Sequence, residues 1–213
     1  MQWILLVVGF LTVTALAENV STSPGKAVDP SLASGLAKIV PLPDDPACDA
    51  NDRRFIKRTY ELARSAADHG NRPFGALLVK DGKIIFENEN SVRTSHDVTQ
   101  HAETGLISKA SRKLDPATLA ACTLYTSTEP CVMCCGSIHW AGIRRVVYGT
   151  TALQVDHMIA IILSNPQAVS AHPLQIREIY ARTAPEMTVK GPLMEAEGLQ
   201  IHEAFWPADL LKK

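Results

Sequence analysis

The chain has 213 residues, 46% of them hydrophobic and 20% charged, with a formal net charge of -1. That composition suits one globular domain with a real core and excludes a low-complexity or disordered chain. The balanced charge argues against a protein that grips a nucleic-acid backbone, which needs a basic excess or stripe.

The apolar run from Ile4 to Ala17 is shorter than the roughly 20 residues of a comfortable membrane span. It ends Ala15-Leu16-Ala17, a small-x-small cleavage pattern. Residues 1–17 therefore read as a secretory signal peptide with a secreted product, the rivals being an uncleaved anchor or a buried helix. Residues 18–50, rich in Ser, Pro, Ala and Asp, read as a linker or loosely ordered arm. A domain is expected over 51–208. It opens on a helix from about Asp52, in which Phe55, Ile56, Thr59, Leu62, Ala63 and Ala66 recur at helical spacing until Gly70 ends it. The cluster Arg53, Arg54, Lys57 and Arg58 reads as a solvated face of that helix.

Ala76-Leu77-Leu78-Val79 and Ile84-Ile85-Phe86 flank Asp81-Gly82, the pattern of a strand pair with a type I′ turn. A helix is expected from about His101, with Ala102, Leu106, Ala110 and Leu114 on one stripe. Cys122 to Thr126 reads as a strand, Cys131 to Trp140 as a helix and Arg145 to Gly149 as a strand. Beyond these, Leu153 to Leu163 and Pro173 to Ala181 read as helices and Met187 to Lys190 as a short strand. Helix and strand alternate, which predicts an α/β fold: a mixed sheet with helices packed on it.

Five cysteines occur, at 48, 122, 131, 134 and 135. An odd, clustered set points to metal ligation plus spare thiols rather than a disulfide framework. In an oxidising compartment Cys131 and Cys134 would pair unless a metal held them. Zinc favours His nitrogen and Cys sulfur, and a catalytic zinc site uses three protein ligands and a water. His101 stands at the start of one predicted helix. Cys131 and Cys134 open another, where an i, i+3 spacing puts both thiols on one face. Pro130 fits the first helical turn, where its missing N–H costs nothing. The helix dipole favours the thiolate form. Glu103, two residues after His101, can reach a water at the metal without being a ligand. His101-x-Glu103 followed by Pro130-Cys131-x-x-Cys134 is the signature of zinc-dependent base deaminases.

The match extends beyond the signature. Leu124-Tyr125-Thr126-Ser127, Glu129-Pro130-Cys131 and Arg144-Arg145-Val146-Val147-Tyr148-Gly149 resemble the cytidine/deoxycytidylate deaminase superfamily, nearest its guanine deaminase and tRNA adenosine deaminase branches. Pro73-Phe74-Gly75-Ala76 resembles the first strand of that family. Asn90-Ser91-Val92 and Thr94-Ser95-His96-Asp97 resemble the approach to its metal histidine, and Phe205-Trp206 the aromatic end of guanine deaminases. The likeness covers residues 52–150.

The resemblance implies a three-layer α-β-α sandwich around a mixed five-stranded sheet. It implies Zn2+ on His101, Cys131 and Cys134, with Glu103 as general base and proton shuttle. It assigns Asn90 to hydrogen-bond the base, Phe74 to wall the pocket and Ala102 to offer backbone groups. It implies a homodimer acting on a small nucleobase or nucleoside, a guanine-type purine favoured, while the balanced charge and the short apolar run argue against nucleic acid and a stable membrane span. The alternatives are a tRNA adenosine deaminase, a cytosine- or pterin-type deaminase, and an inactive zinc-stabilised binding protein. Asn90 also fits a plain turn residue and Phe74 plain core. His96, His139, His157, His172 and His202 read as surface or core residues, Cys135 as a small buried hydrophobe, and Trp206 as packing at the chain end or a residue near the active site.

Overall fold

In the computed structural model, residues 35–36, 39–165 and 174–210 are described. The expected signal segment at 1–17, most of the arm at 18–50 and His172 lie outside them. Among the described residues, no helix is long and apolar enough to cross a membrane.

Helix α1 (Ala50–Asp68) begins on a reciprocal cap. The Asp49 carboxylate accepts from Asp52 N at 2.9 Å, and the Asp52 carboxylate accepts from Asp49 N at 3.2 Å. Asp52 is itself buried and takes Tyr125 Oη and Arg145 Nη2 at 2.7 Å each and Lys190 Nζ at 3.2 Å. Burial alone would raise its carboxyl; Arg145 and Tyr125 outweigh that and hold it below the usual range. Capping thus starts the helix and ties it across the sheet. Strands β1 (Gly75–Lys80) and β2 (Lys83–Glu89) form the expected hairpin, with φ of 51° at Asp81 and 70° at Gly82. Both central residues are left-handed, as a type I′ turn requires.

The short helix α2 (Val92–Ser95) leads to α3 (Ala102–Ser111) and α4 (Pro116–Ala120). Strand β3 (Thr123–Thr128), helix α5 (Val132–Trp140) and strand β4 (Arg145–Thr150) follow. Then come α6 (Ala152–Ile162), α7 (Ile176–Thr183), β5 (Thr188–Lys190) and α8 (Glu195–Leu210). Leu114 falls beyond the end of α3, yet still packs against the core as the stripe predicts.

The sheet order is β2-β1-β3-β4-β5. β1 runs antiparallel to β2 and β3, whereas β3, β4 and β5 are parallel. The pleat sorts side chains onto two faces. Ala76, Leu78, Leu124, Val146 and Tyr148 meet α3, α5 and α7, while Leu77, Val79, Tyr125 and Val147 meet α1 and Ile201 of α8. This is the three-layer α-β-α arrangement around a mixed five-stranded sheet.

Helix α8 is not anticipated by the sequence pattern. It packs against α6 through Leu199 and Trp206 and so closely on β4 that a Cβ at Gly198 would collide with Thr150 Oγ1 and Tyr60 Oη. Helix propensity alone favours Gly198→Ala by about 1 kcal/mol. Overpacking works the other way, at about 1–3 kcal/mol, and more where the neighbours are fully buried. We expect a net loss of about 2 kcal/mol, or about 4–8 °C in Tm. A thermal melt in which the alanine variant is as stable as the parent would contradict this close packing.

Candidate active site

Two helix starts converge to make the site. His101 is the N-cap of α3, in extended backbone with φ -63° and ψ 161°, and Ala102 and Glu103 follow as the first helical residues. Cys131 is the N-cap of α5, with φ -71° and ψ 170°, and Cys134 lies in its first turn. The Cys131 carbonyl already accepts from Cys135 N at 2.8 Å, so the first helical bond closes there. Pro130 therefore precedes the cap and is not in the first helical turn, a correction to the sequence reading. The two sulfurs come from the cap and the first turn, and the i, i+3 spacing brings them to one side of the helix start, 3.5 Å apart. Both helices thus present positive N-terminal ends to the same point, where they favour anionic sulfur.

His101 Nδ1 lies 3.6 Å from the Sγ atoms of both Cys131 and Cys134, and the two sulfurs are 3.5 Å apart. Among the described residues these three form a group whose donor atoms could hold a metal ion. Tetrahedral zinc with ordinary Zn–N and Zn–S bonds sets its ligand atoms about 3.6–3.8 Å apart. The triangle fits that geometry, and its soft donors fit that metal. The Cys134 thiol and His101 together hold the Cys131 thiol down to about 4, with burial opposing them. The same contact, with burial, pushes Cys134 up.

Glu103 is buried beside the triangle and is not a member of it. Its Oε1 accepts from Thr126 Oγ1 at 2.9 Å, and its Oε2 lies 3.5 Å from Cys134 Sγ. Burial pushes its carboxyl above the usual range, and the charge of Cys131 adds to that. Thr126 Oγ1 also stands 3.1 Å from the Thr128 carbonyl. One hydroxyl can therefore serve both states of Glu103: it donates to the carboxylate, or it accepts from the acid while donating to Thr128 O. A proton shuttle needs a partner of that kind.

The group opens into a cavity of about 160 Å³ at the carboxyl ends of the parallel strands β3 and β4, the usual ligand position of such sheets. Phe74 and Asn90 line it, as do Val155 and Ile159 of α6 and Trp206 of α8. Asn90 is a turn residue that also stands at the cavity. Its Oδ1 accepts from Val92 N at 3.3 Å within the turn, and the residue borders the cavity. Ala102 is fully buried, and its carbonyl accepts from Asn88 Nδ2 at 2.9 Å.

Several further residues that the sequence assigns no role in the chemistry build the cavity. Arg72 places its guanidinium 5.7 Å from the Trp206 ring centroid. Glu129 accepts from Ala152 N at 3.2 Å and Ile176 N at 3.0 Å, so one buried carboxylate anchors the first turns of both α6 and α7. Thr128 Oγ1 is 3.1 Å from Nε2 of the buried His202, whose Nδ1 accepts from Trp206 Nε1 at 3.2 Å. The sequence leaves Trp206 open between chain-end packing and a place near the active site; it lies on the cavity wall. Cys135 is buried behind the triangle, as a small hydrophobe would be. Arg53 and Arg58 engage Asp44 and Glu87, on a helix face away from the cavity lining.

The chain matches the zinc-binding region of cytidine and deoxycytidylate deaminases over residues 49–150. It is 34% identical over 158 residues to a probable cytosine deaminase from Schizosaccharomyces pombe, covering 73% of this chain and 92% of that one. It is 48% identical over 99 residues to a guanine deaminase from Bacillus subtilis, covering 46% and 64% of the two chains. A tRNA-specific adenosine deaminase from Agrobacterium fabrum is 40% identical over 100 residues, covering 47% and 66%. The chain thus spans just under two thirds of the length of the latter two relatives, and the three are named for three different substrates.

Proposed function

The chain belongs to the cytidine and deoxycytidylate deaminase superfamily, a family of zinc-binding hydrolytic deaminases, and on that premise we propose that it deaminates a free nucleobase or nucleoside, a guanine-type purine first among them. The carrying observation is the His101-Cys131-Cys134 triangle with Glu103 buried beside it, facing a cavity of about 160 Å³. Zinc held by that triangle would supply a water acidified toward neutral pH. Glu103 would take one proton from the water and pass it to the ring nitrogen beside the attacked carbon, then take the second from the new hydroxyl on that carbon and pass it to the departing amine. Thr126 supports it in both states. Phe74 and Trp206 provide apolar faces for a planar ring. Asn90, with Oδ1 engaged by its own turn, offers its Nδ2 donors to the base. The products are the oxo base and ammonia.

The cavity is smaller than the roughly 300–1,000 Å³ of drug-sized ligand sites, which favours a lone ring over an oligonucleotide. Among the described residues Arg72 is the one Lys or Arg in its lining, set against the acids Glu103, Glu129 and Asp156. An RNA substrate needs basic and aromatic surface for the nucleotides on either side of the flipped base. The B. subtilis guanine deaminase, at 48% identity, supports the choice of purine.

The test is ammonia release from guanine, guanosine, adenine, adenosine, cytosine and cytidine, with a tRNA anticodon stem-loop as a further arm, at low and moderate salt. We expect turnover of a free purine with little salt dependence. Recognition of RNA would instead weaken steeply with salt, because each neutralised phosphate releases counterions. Salt-sensitive deamination of the stem-loop alone would overturn the reading in favour of the tRNA branch. Turnover of cytosine alone would move the substrate to the pyrimidines.

A further inference from the structure

The hydrogen bonds behind the cavity have only one consistent polarity. Indole Nε1 is a donor and never an acceptor. Trp206 Nε1 faces His202 Nδ1 at 3.2 Å, so that nitrogen carries no proton. A charged imidazolium would set two N–H groups against each other there. Burial also pushes His202 down to about 3, in agreement with a neutral ring. The single ring proton then sits on Nε2, which donates to Thr128 Oγ1 across 3.1 Å. The Thr128 hydroxyl is consequently an acceptor on that side, and its own proton must point elsewhere. Among the described residues that hydroxyl has no other partner, and Thr128 borders the cavity.

We infer that Thr128 is a specificity residue that donates a hydrogen bond to a lone-pair acceptor of the bound base, a carbonyl oxygen or an unprotonated ring nitrogen, with Trp206 and His202 as positioning residues that fix this polarity. The inference rests on the proposed function, since it concerns the base held in that cavity. It deepens it by stating what one edge of the substrate must offer. Rings that present only an N–H or amino group at that edge leave the Thr128 proton without an acceptor and bind less well. Trp206 thus has two roles: its ring walls the cavity, and its N–H sets the direction of a chain that ends on the ligand.

The test is steady-state kinetics on whichever base the wild-type chain turns over fastest in the panel above. Thr128→Val keeps the shape and removes the donor. A neutral hydrogen bond of this kind corresponds to about tenfold, and because the donor meets the ring before and during reaction, the loss falls on KM and not on kcat. Thr128→Ser restores the hydroxyl and is expected to restore KM. Trp206→Phe keeps an aromatic wall but frees His202 to change tautomer, so it also raises KM. The decisive comparison is the double variant. If the Trp206 N–H acts through Thr128, Trp206→Phe raises KM clearly less in the Thr128→Val background than in the wild type, the remainder being the smaller cavity wall. Thr128→Ala serves the same cycle should the valine variant not fold.

A Thr128→Val enzyme with wild-type KM overturns the inference, as does a Trp206→Phe penalty that persists in full without the threonine. Either result leaves the deaminase reading standing. A wild-type chain that deaminates no base in the panel removes that reading and the inference together.

Discussion

Glu103→Gln is expected to lower kcat by at least roughly 10²–10⁴-fold, the range of a single general acid–base step, while zinc content and Tm stay at wild-type values. The glutamine is nearly isosteric, and its amide oxygen still accepts from Thr126 Oγ1, the 2.9 Å bond that holds Glu103 in place. Nor does the change cost stability through burial, because a buried carboxylate pays more for desolvation than an amide does. The lost property is proton transfer. Glu103 serves several steps of one turnover, so the true loss lies toward or beyond the upper end of the range. The expectation is tested by ammonia release, elemental analysis and thermal melts on the same preparations. Near-wild-type turnover in a folded, zinc-loaded variant would reject Glu103 as the shuttle, and with it the mechanism above.

The features that the sequence makes legible are the local ones. The α1 stripe, the Asp81-Gly82 turn, and the two short motifs around His101 and Cys131 each depend on residues a few positions apart, so periodicity and spacing expose them. Pro130 shows the limit of that reading: a one-residue shift of the helix start moves it from the first turn to before the cap, and helix ends are routinely uncertain by that much. Helix α8 is hidden for another reason. It holds Gly198 at its first turn and Pro207 near its end, both breakers by propensity. Its apolar residues serve two neighbours, Ile201 toward the sheet and Leu199 and Trp206 toward α6, so no single stripe results. The far wall of the cavity depends on that helix. Thr128 and His202 are 74 positions apart, and their contact exists only once α8 has docked. No sequence spacing signals such a pair, and a histidine at that position reads as ordinary core until its partners are visible.

The Cys131→Ser/Cys134→Ser double variant is expected to lose its zinc and to fall to background activity. Purified wild-type chain should hold about one zinc, since the triangle supplies the three protein ligands of a catalytic site and leaves the fourth position for water. Serine is a poor substitute: its hydroxyl keeps its proton where the cysteine gives it up, and Cys131 is already held down to about 4 by its neighbours. Two consequences separate loss of metal from general damage. Activity should fall below that of Glu103→Gln, because the acidified water disappears along with its partner base. Stability should fall as well. A ligand present at a thousand times its Kd contributes about 4.1 kcal/mol to the folded state, so stripping the wild-type chain with a chelator should lower Tm by about 8–16 °C. The double variant should melt at the stripped temperature whether or not chelator is present. Part of that loss has a definite place in the fold: with no metal between them, the starts of α3 and α5 are joined there by the contacts of His101 with two sulfurs and of Glu103 with Cys134. A double variant that retains a full equivalent of zinc, or a chelated wild type that keeps both its Tm and its activity, would show that the triangle is not the metal site.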